Sequence, residues 1–208
     1  IPDGTFPNGM NAFLVRTPGK TILFDTGIGK NLLENLQFLG VTPEQVDVIF
    51  ITHMHGDHIG GMLKDGQIVF PNAEVYLPQP EHDYWMSDEA MNKLLESRRG
   101  GFLNARKMIE AYQSKLHLFQ PAELGEAATD LIPGIQGFAA YGHTTGHSIF
   151  MLQSNNSKML IWGDLTHAMA IQMPYPEVAV TYDVDPELAV KYRKKVLEYV
   201  LANKIPVA

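Results

Sequence analysis

The chain has 208 residues, 45% of them hydrophobic, enough for one domain with a sizeable core. Its formal net charge is −7, and no basic stripe stands ready to neutralise phosphates, which argues against a nucleic-acid partner. It contains no cysteine, which excludes disulfides, iron–sulfur clusters and thiolate catalysis, so any metal must be held by nitrogen and oxygen ligands.

No apolar run approaches the length needed to cross a bilayer. The start, Ile1-Pro2-Asp3-Gly4-Thr5-Phe6-Pro7, lacks the basic-then-apolar pattern of a signal peptide, and it also lacks an initiator Met. Two compartments are therefore open: the cytoplasm, or the periplasm or exterior after removal of an N-terminal segment.

In chain order, Phe13–Arg16 and Thr21–Phe24 read as a hairpin across Thr17-Pro18-Gly19-Lys20, with Asp25-Thr26-Gly27 ending the second strand. A helix is expected from Asn31 to Leu39, stopped by Gly40. Val46–Thr52 reads as a buried strand, rich in β-branched and aromatic residues. Glu74–Leu77 is a short strand. Residues from about 81 to 115 read as helical with a break near Arg98-Arg99-Gly100-Gly101, and the segment 80–117 is expected to form a cap. Its Tyr84, Trp85 and Phe102 suit pocket walls or core packing equally. Ile135–Tyr141 is a strand, Ile149–Leu152 and Lys158–Trp162 a hairpin, and Val178–Tyr182 a further strand. Asp185 caps a last helix with Pro186 at its first position, running to about Asn203. On that helix Lys191, Arg193, Lys194 and Lys195 are expected to form a solvated face.

The most informative stretch is His53-Met54-His55-Gly56-Asp57-His58, directly after the apolar strand. On extended backbone, residues two apart point the same way, so His53 and His55 can converge on one point beyond the strand end. Gly56 allows a sharp turn, after which Asp57 and His58 can aim at a second point nearby. Imidazole suits zinc, copper, iron or nickel, and carboxylate adds a hard oxygen ligand. Two more strand-like runs end in ligand-type residues, at His143 and at Asp164. Sites beyond strand ends are a common outcome of layered α/β architectures.

Four pieces carry a family resemblance: Phe24-Asp25-Thr26-Gly27, Thr52–Gly61 with its Thr-His-x-His-x-Asp-His run, Gly142-His143-Thr144-Thr145-Gly146-His147-Ser148, and Trp162-Gly163-Asp164. Together they resemble the metallo-β-lactamase superfamily, over roughly residues 11 to 195. The branch most similar includes methyl parathion hydrolase and the acyl-homoserine-lactone lactonases. The resemblance implies an α/β (α+β) fold, a four-layer αββα sandwich spanning 1–208 as a single domain.

It implies a two-metal site in which His53, His55 and His143 hold the first ion, Asp57 and His58 the second, and Asp164 bridges both. Asp25 falls where the family has an acid that supports the histidine loop, and His147 where a histidine helps to shape the loop after the third ligand. His167, three residues beyond Asp164, reads as a substrate contact, a substitute ligand or a surface residue. That branch places a further histidine beyond the final helix as a ligand of the second metal. No histidine follows His167 here, so the chain reads as truncated at its C-terminus.

The function so implied is that of a hydrolase using a metal-bound hydroxide on a small ester, lactone or phosphotriester, with Asp57 and Asp164 helping to move the proton. Zinc, one or two ions per chain, is the expected metal, with iron, manganese or cobalt as alternatives. The competing readings are an iron-dependent oxidoreductase of the persulfide-dioxygenase kind, and a non-catalytic member with an incomplete second site. The expected partner is a small-molecule substrate, with no nucleic acid and no membrane; a homodimer is left open.

Overall fold

A computed structural model describes residues 9–208. β1 (Phe13–Thr17) and β2 (Lys20–Phe24) form the antiparallel hairpin expected around Pro18-Gly19, with Thr17 opposite Lys20. α1 (Leu32–Phe38) follows, then β3 (Val48–Phe50) and the one-turn α2 (Gly56–Ile59). β4 (Leu63–Lys64) and β5 (Gln67–Ile68) make a minimal hairpin, and β6 (Glu74–Pro78) leads into α3 (Gln79–Met86), α4 (Asp88–Asn92) and α5 (Gly100–Tyr112). β7 (Leu116–Phe119) and β8 (Ile135–Ala139) come next, then the hairpin of β9 (Ser148–Ser154) and β10 (Ser157–Ile161). The chain continues through α6 (Met169–Gln172) to α7 (Pro186–Asn203).

The strands build two larger sheets. One runs β1-β2-β3-β6-β7, parallel from β2 onwards; the other is the antiparallel meander β8-β9-β10. Three apolar layers separate four structural ones, as expected of an αββα sandwich. Leu23, Ile49, Ile51, Val75 and Leu77 of the first sheet pack against Trp85, Phe102, Ala105, Met108 and Tyr112 of α3 and α5. Ile149, Met151 and Leu160 of the second sheet pack against Val196, Leu197 and Val200 of α7. Between the sheets lies an aromatic cluster: Phe50 stacks 5.1 Å from Phe24, and Phe150 from the opposite sheet meets them at 5.0 and 5.5 Å. Alternate side chains of one strand thus serve two cores, Ile49 outward and Phe50 inward.

Departures from the expected elements have local causes. The segment 81–115 breaks twice more than its composition suggests. Ser87 leaves α3 to cap α4, its side chain accepting from the Ala90 N–H, and Leu95 is extended. Val178–Tyr182 is not a strand. The Val178 N–H closes a turn onto Tyr175 O, and the Asp183 carboxylate captures the Val180 N–H at 3.1 Å, an Asx-type contact that competes with sheet pairing. Arg193 is not on a solvated face: it is 1% exposed, among the most buried side chains of the protein. β7 and the β4–β5 hairpin, too short to show a clear period, are additional to the elements read from sequence. After α7, residues 206–208 lie beside β10, where Leu160 N–H donates to Pro206 O and Ala208 N–H to Leu160 O. Among the described residues no helix is long and apolar enough to cross a membrane.

The inter-sheet cluster is the joint between the two halves. Replacing the fully buried Phe150 by alanine is expected to cost about 3–5 kcal/mol of unfolding free energy, read as a lower denaturation midpoint at unchanged m-value.

Candidate metal centre

The site forms where four strand ends meet: the chain emerges from β2 at Asp25, from β3 at Thr52 and His53, from β8 towards His143, and from β10 towards Asp164. Asp25 has φ +55°, a conformation costly for a non-glycine residue, and three hydrogen bonds hold it there. Its Oδ1 accepts from the Thr52 N–H at 2.8 Å, while Oδ2 accepts from the Thr52 hydroxyl and from His58 Nδ1, each at 2.7 Å. The expected supporting role of this acid therefore has a geometric basis.

Thr52 spends its hydroxyl proton on Asp25, so its oxygen is free to accept from His53 Nδ1 at 3.0 Å, leaving His53 Nε2 with its lone pair facing inward. On the other side, His143 Nδ1 lies 2.9 Å from Asp183 Oδ1, which likewise turns Nε2 inward. The three nitrogens His53 Nε2, His55 Nδ1 and His143 Nε2 converge, with His55 Nδ1 at 3.1 Å from the first and 3.0 Å from the third. Asp164 Oδ2 completes this group, 3.8 Å from His53 Nε2 and 3.3 Å from His143 Nε2. Its other oxygen, Oδ1, faces His58 Nε2 at 3.1 Å, and Asp57 Oδ2 stands 4.0 Å from that same nitrogen.

The residues thus sort into two clusters, His53, His55, His143 and Asp164 on one side and Asp57, His58 and Asp164 on the other, each with all its donor atoms within 4.8 Å of one another. Inward-facing imidazole nitrogens, the outer nitrogens of His53, His58 and His143 committed to other partners, and a carboxylate shared between two pockets are a donor set that fits divalent cations.

Electrostatics agree. Burial first, and then the neighbouring His58, hold His53 well below the usual imidazole range; burial and His143 lower His55 to about 4. Both are neutral ligand-type imidazoles. Burial also opposes charge on His58 and His143, but Asp25 and Asp164 raise His58 to about 11, and hydrogen bonds to Asp164 and Asp183 raise His143. Burial alone would raise the Asp164 carboxyl, yet contacts with His143, His167 and His58 hold it well below the carboxylate range. Protons here stand where an anionic pocket asks for positive charge.

His147 supports Asp164 rather than joining the clusters. Its Nδ1 donates to Ala140 O at 3.0 Å and its Nε2 accepts the Asp164 N–H at 3.0 Å, so both nitrogens are used by a neutral ring, which burial lowers to about 3. Gly163 makes this approach feasible: its φ is +51°, and a Cβ there would lie 2.8 Å from His147 Nε2. His167 places Nε2 3.0 Å from Asp164 Oδ2 and packs edge-on against Tyr182.

A cavity of about 960 Å³ opens over the clusters, lined among others by Trp162, His167, Met169, Ile171 and Tyr182. Tyr84, Trp85 and Phe102 are not among its lining residues. They stack on one another in the outer core of the first sheet, Trp85 to Phe102 at 4.7 Å, because α3 and α5 face the sheet rather than the cavity mouth.

Sequence reading did not single out Asp183 or Glu81, and it placed Arg193 on a solvated face. Arg193 donates to the carbonyls of Leu165, Pro176 and Val178 and lies 3.9 Å from Asp183, so α7 braces the loop that orients His143. Asp183 follows an apolar run, as Asp25 and Asp164 do, and that pattern was its available signal. Glu81 is a fully buried carboxylate between the loop carrying His53 and His55 and the loop carrying His143.

Comparison with known proteins is consistent with this geometry. A family model described as the metallo-beta-lactamase superfamily matches residues 6–203. Among solved structures, the hydrolase AbOPH of the beta lactamase superfamily is 33% identical at a TM-score of 0.85, over 97% of this chain and 71% of that one. AidC, a dizinc quorum-quenching lactonase seen with its product N-hexnoyl-L-homoserine, is 30% identical at a TM-score of 0.84, over 95% of this chain and 70% of its own. Among curated proteins, ribonuclease Z of Nanoarchaeum equitans is 45% identical over 51 residues, 24% of this chain but only 16% of that protein. The chain belongs to the metallo-beta-lactamase superfamily.

Proposed function

We propose that this protein is a metal-dependent hydrolase of a small ester, lactone or phosphotriester, with zinc as the metal. His53, His55 and His143 would hold a first ion, Asp57 and His58 a second, and Asp164 would bridge them. The observation that carries this reading is the division of the six residues into two donor clusters sharing Asp164. AbOPH and AidC, similar over nearly the whole chain, lend support through the hydrolase and lactonase activities their names carry.

A divalent ion, when bound, lowers the pKa of its water from about 15.7 to about 7 and offsets negative charge at the reacting centre. The chain's own residues prepare that chemistry. Thr52 and Asp183 hold the outer nitrogens of His53 and His143, so that Nε2 of each ring is the nitrogen turned to the pocket. Asp164, anchored through its backbone by His147, presents one oxygen to each cluster. Asp57, the most exposed acid of the set, stands at the cavity floor, where it can take up a proton from the attacking water. Met169, Ile171 and Tyr182 offer an apolar wall for the substrate's substituents, and this wall takes the place of the aromatic set on α3 and α5.

Chelation followed by dialysis is expected to abolish cleavage of chromogenic esters, lactones or phosphotriesters, and zinc to restore it; inertness of the zinc-loaded protein across all three classes would overturn the assignment. Asp183→Asn, which keeps the side-chain size but weakens the grip on His143, is expected to lower zinc affinity by about 10–100-fold in chelator competition, with the far-UV circular dichroism unchanged.

A further inference from the structure

Glu81 has no place in the chemistry above, yet it is fully buried at the first position of α3 to show a charged side chain, and four groups bind its two oxygens. Oε1 accepts from the Met54 N–H at 2.9 Å and from Trp85 Nε1 at 2.6 Å. Oε2 accepts from the Thr144 hydroxyl at 2.7 Å and from the Gly146 N–H at 2.8 Å. Met54 stands between His53 and His55; Thr144 follows His143 directly. One carboxylate therefore ties the backbone carrying two imidazoles of the first cluster to the loop carrying the third. These loops come from different sheets and are 27 and 65 residues from Glu81 along the chain.

The fit is tight. A Cβ at Gly146 would lie 2.0 Å from the Glu81 backbone nitrogen, so the third-histidine loop reaches the carboxylate only because residue 146 is glycine. The second cluster is held otherwise: His58 hangs on Asp25, and neither His58 nor Asp57 has a bond to Glu81 among the described residues.

We propose that Glu81 is the positioning residue of the three-histidine cluster alone, setting the spacing of His53, His55 and His143 and hence the affinity of that cluster, but not of the Asp57–His58 cluster, for a divalent metal. This rests on the ligand assignment proposed above. A buried carboxylate suits the task because three of its partners, the Met54 and Gly146 amides and the Trp85 indole, can only donate. An amide in its place would set an NH₂ against at least one of these donors, and a link would fail while the volume stayed the same.

The test is zinc titration of the metal-free chain against a chromogenic chelator, for wild type, Glu81→Gln, Thr144→Val, Trp85→Phe and Asp57→Asn. The step that survives Asp57→Asn belongs to the three-histidine cluster. Glu81→Gln is expected to weaken that step by about tenfold or more and to leave the other within about twofold. Thr144→Val, which cuts one link between the loops, should weaken the same step by less; it carries the test if Glu81→Gln does not fold. Trp85→Phe removes a bond that joins no two loops. It should lower the melting temperature and leave both zinc steps unchanged, as no merely structural account of Glu81 requires.

Wild-type affinities in both Glu81→Gln and Thr144→Val, or equal weakening of both steps, would overturn the proposal while leaving the ligand assignment intact. A wild-type chain that binds no zinc would overturn the ligand assignment, and this inference with it.

Discussion

Asp164 is the constraint around which the rest of the structure is arranged. Its two oxygens face different groups of donors, and it is mostly buried, 20% of its side chain being exposed. A buried carboxylate is tolerable only with positive charge or several donors beside it. Here the neighbours are imidazoles from three separate chain segments, and their response shows the demand: His58 and His143 hold protons more tightly than free histidine while His53 and His55 stay neutral. A divalent metal held by these residues would supply the positive charge that the buried Asp164 calls for.

That arrangement needs strand ends held in register across two sheets. The inter-sheet cluster of Phe24, Phe50 and Phe150 sets the distance between the halves, and the Ser148 N–H to Thr52 O bond, 3.0 Å long, crosses directly from one histidine-bearing loop to the other. Glu81 adds a second crossing and Arg193 a brace from α7. Packing energy, directionless in itself, is thereby converted into ångström-scale placement by a few buried polar contacts, whose cost is met because nearly every donor and acceptor in them is paired.

The parts of this design that lie close together in the chain were legible in the sequence. His53, His55, Asp57 and His58 fall within six residues, and the two-residue period of extended backbone is enough to say that two imidazoles converge. The hairpins at Pro18-Gly19 and Asn155-Asn156 and the capped α7 could be read for the same reason. Glu81 was not legible, since its meaning comes from partners 27 to 65 residues away. Val178–Tyr182 was misread because β-branched and aromatic composition outweighed the turn imposed by Pro174, Pro176 and the Asp183 side chain. Arg193 was misread by its neighbours Lys191, Lys194 and Lys195, although its spacing from Ala189, Val196 and Val200 follows the buried stripe of the helix.

The two clusters are not equivalent, and the difference is built into their supports. The three-histidine cluster offers four donors, and each outer anchor (Thr52, Asp183, Glu81) is a group held by further bonds. The other offers three, of which Asp57 has the most exposed side chain, at 42%, and His58 leans outward on Asp25, with Thr52 Oγ1 3.5 Å from the same nitrogen. Both clusters include an imidazole that holds its proton more tightly than free histidine, His143 in the first and His58 in the second, but only the first has its donors oriented by three separate outside groups.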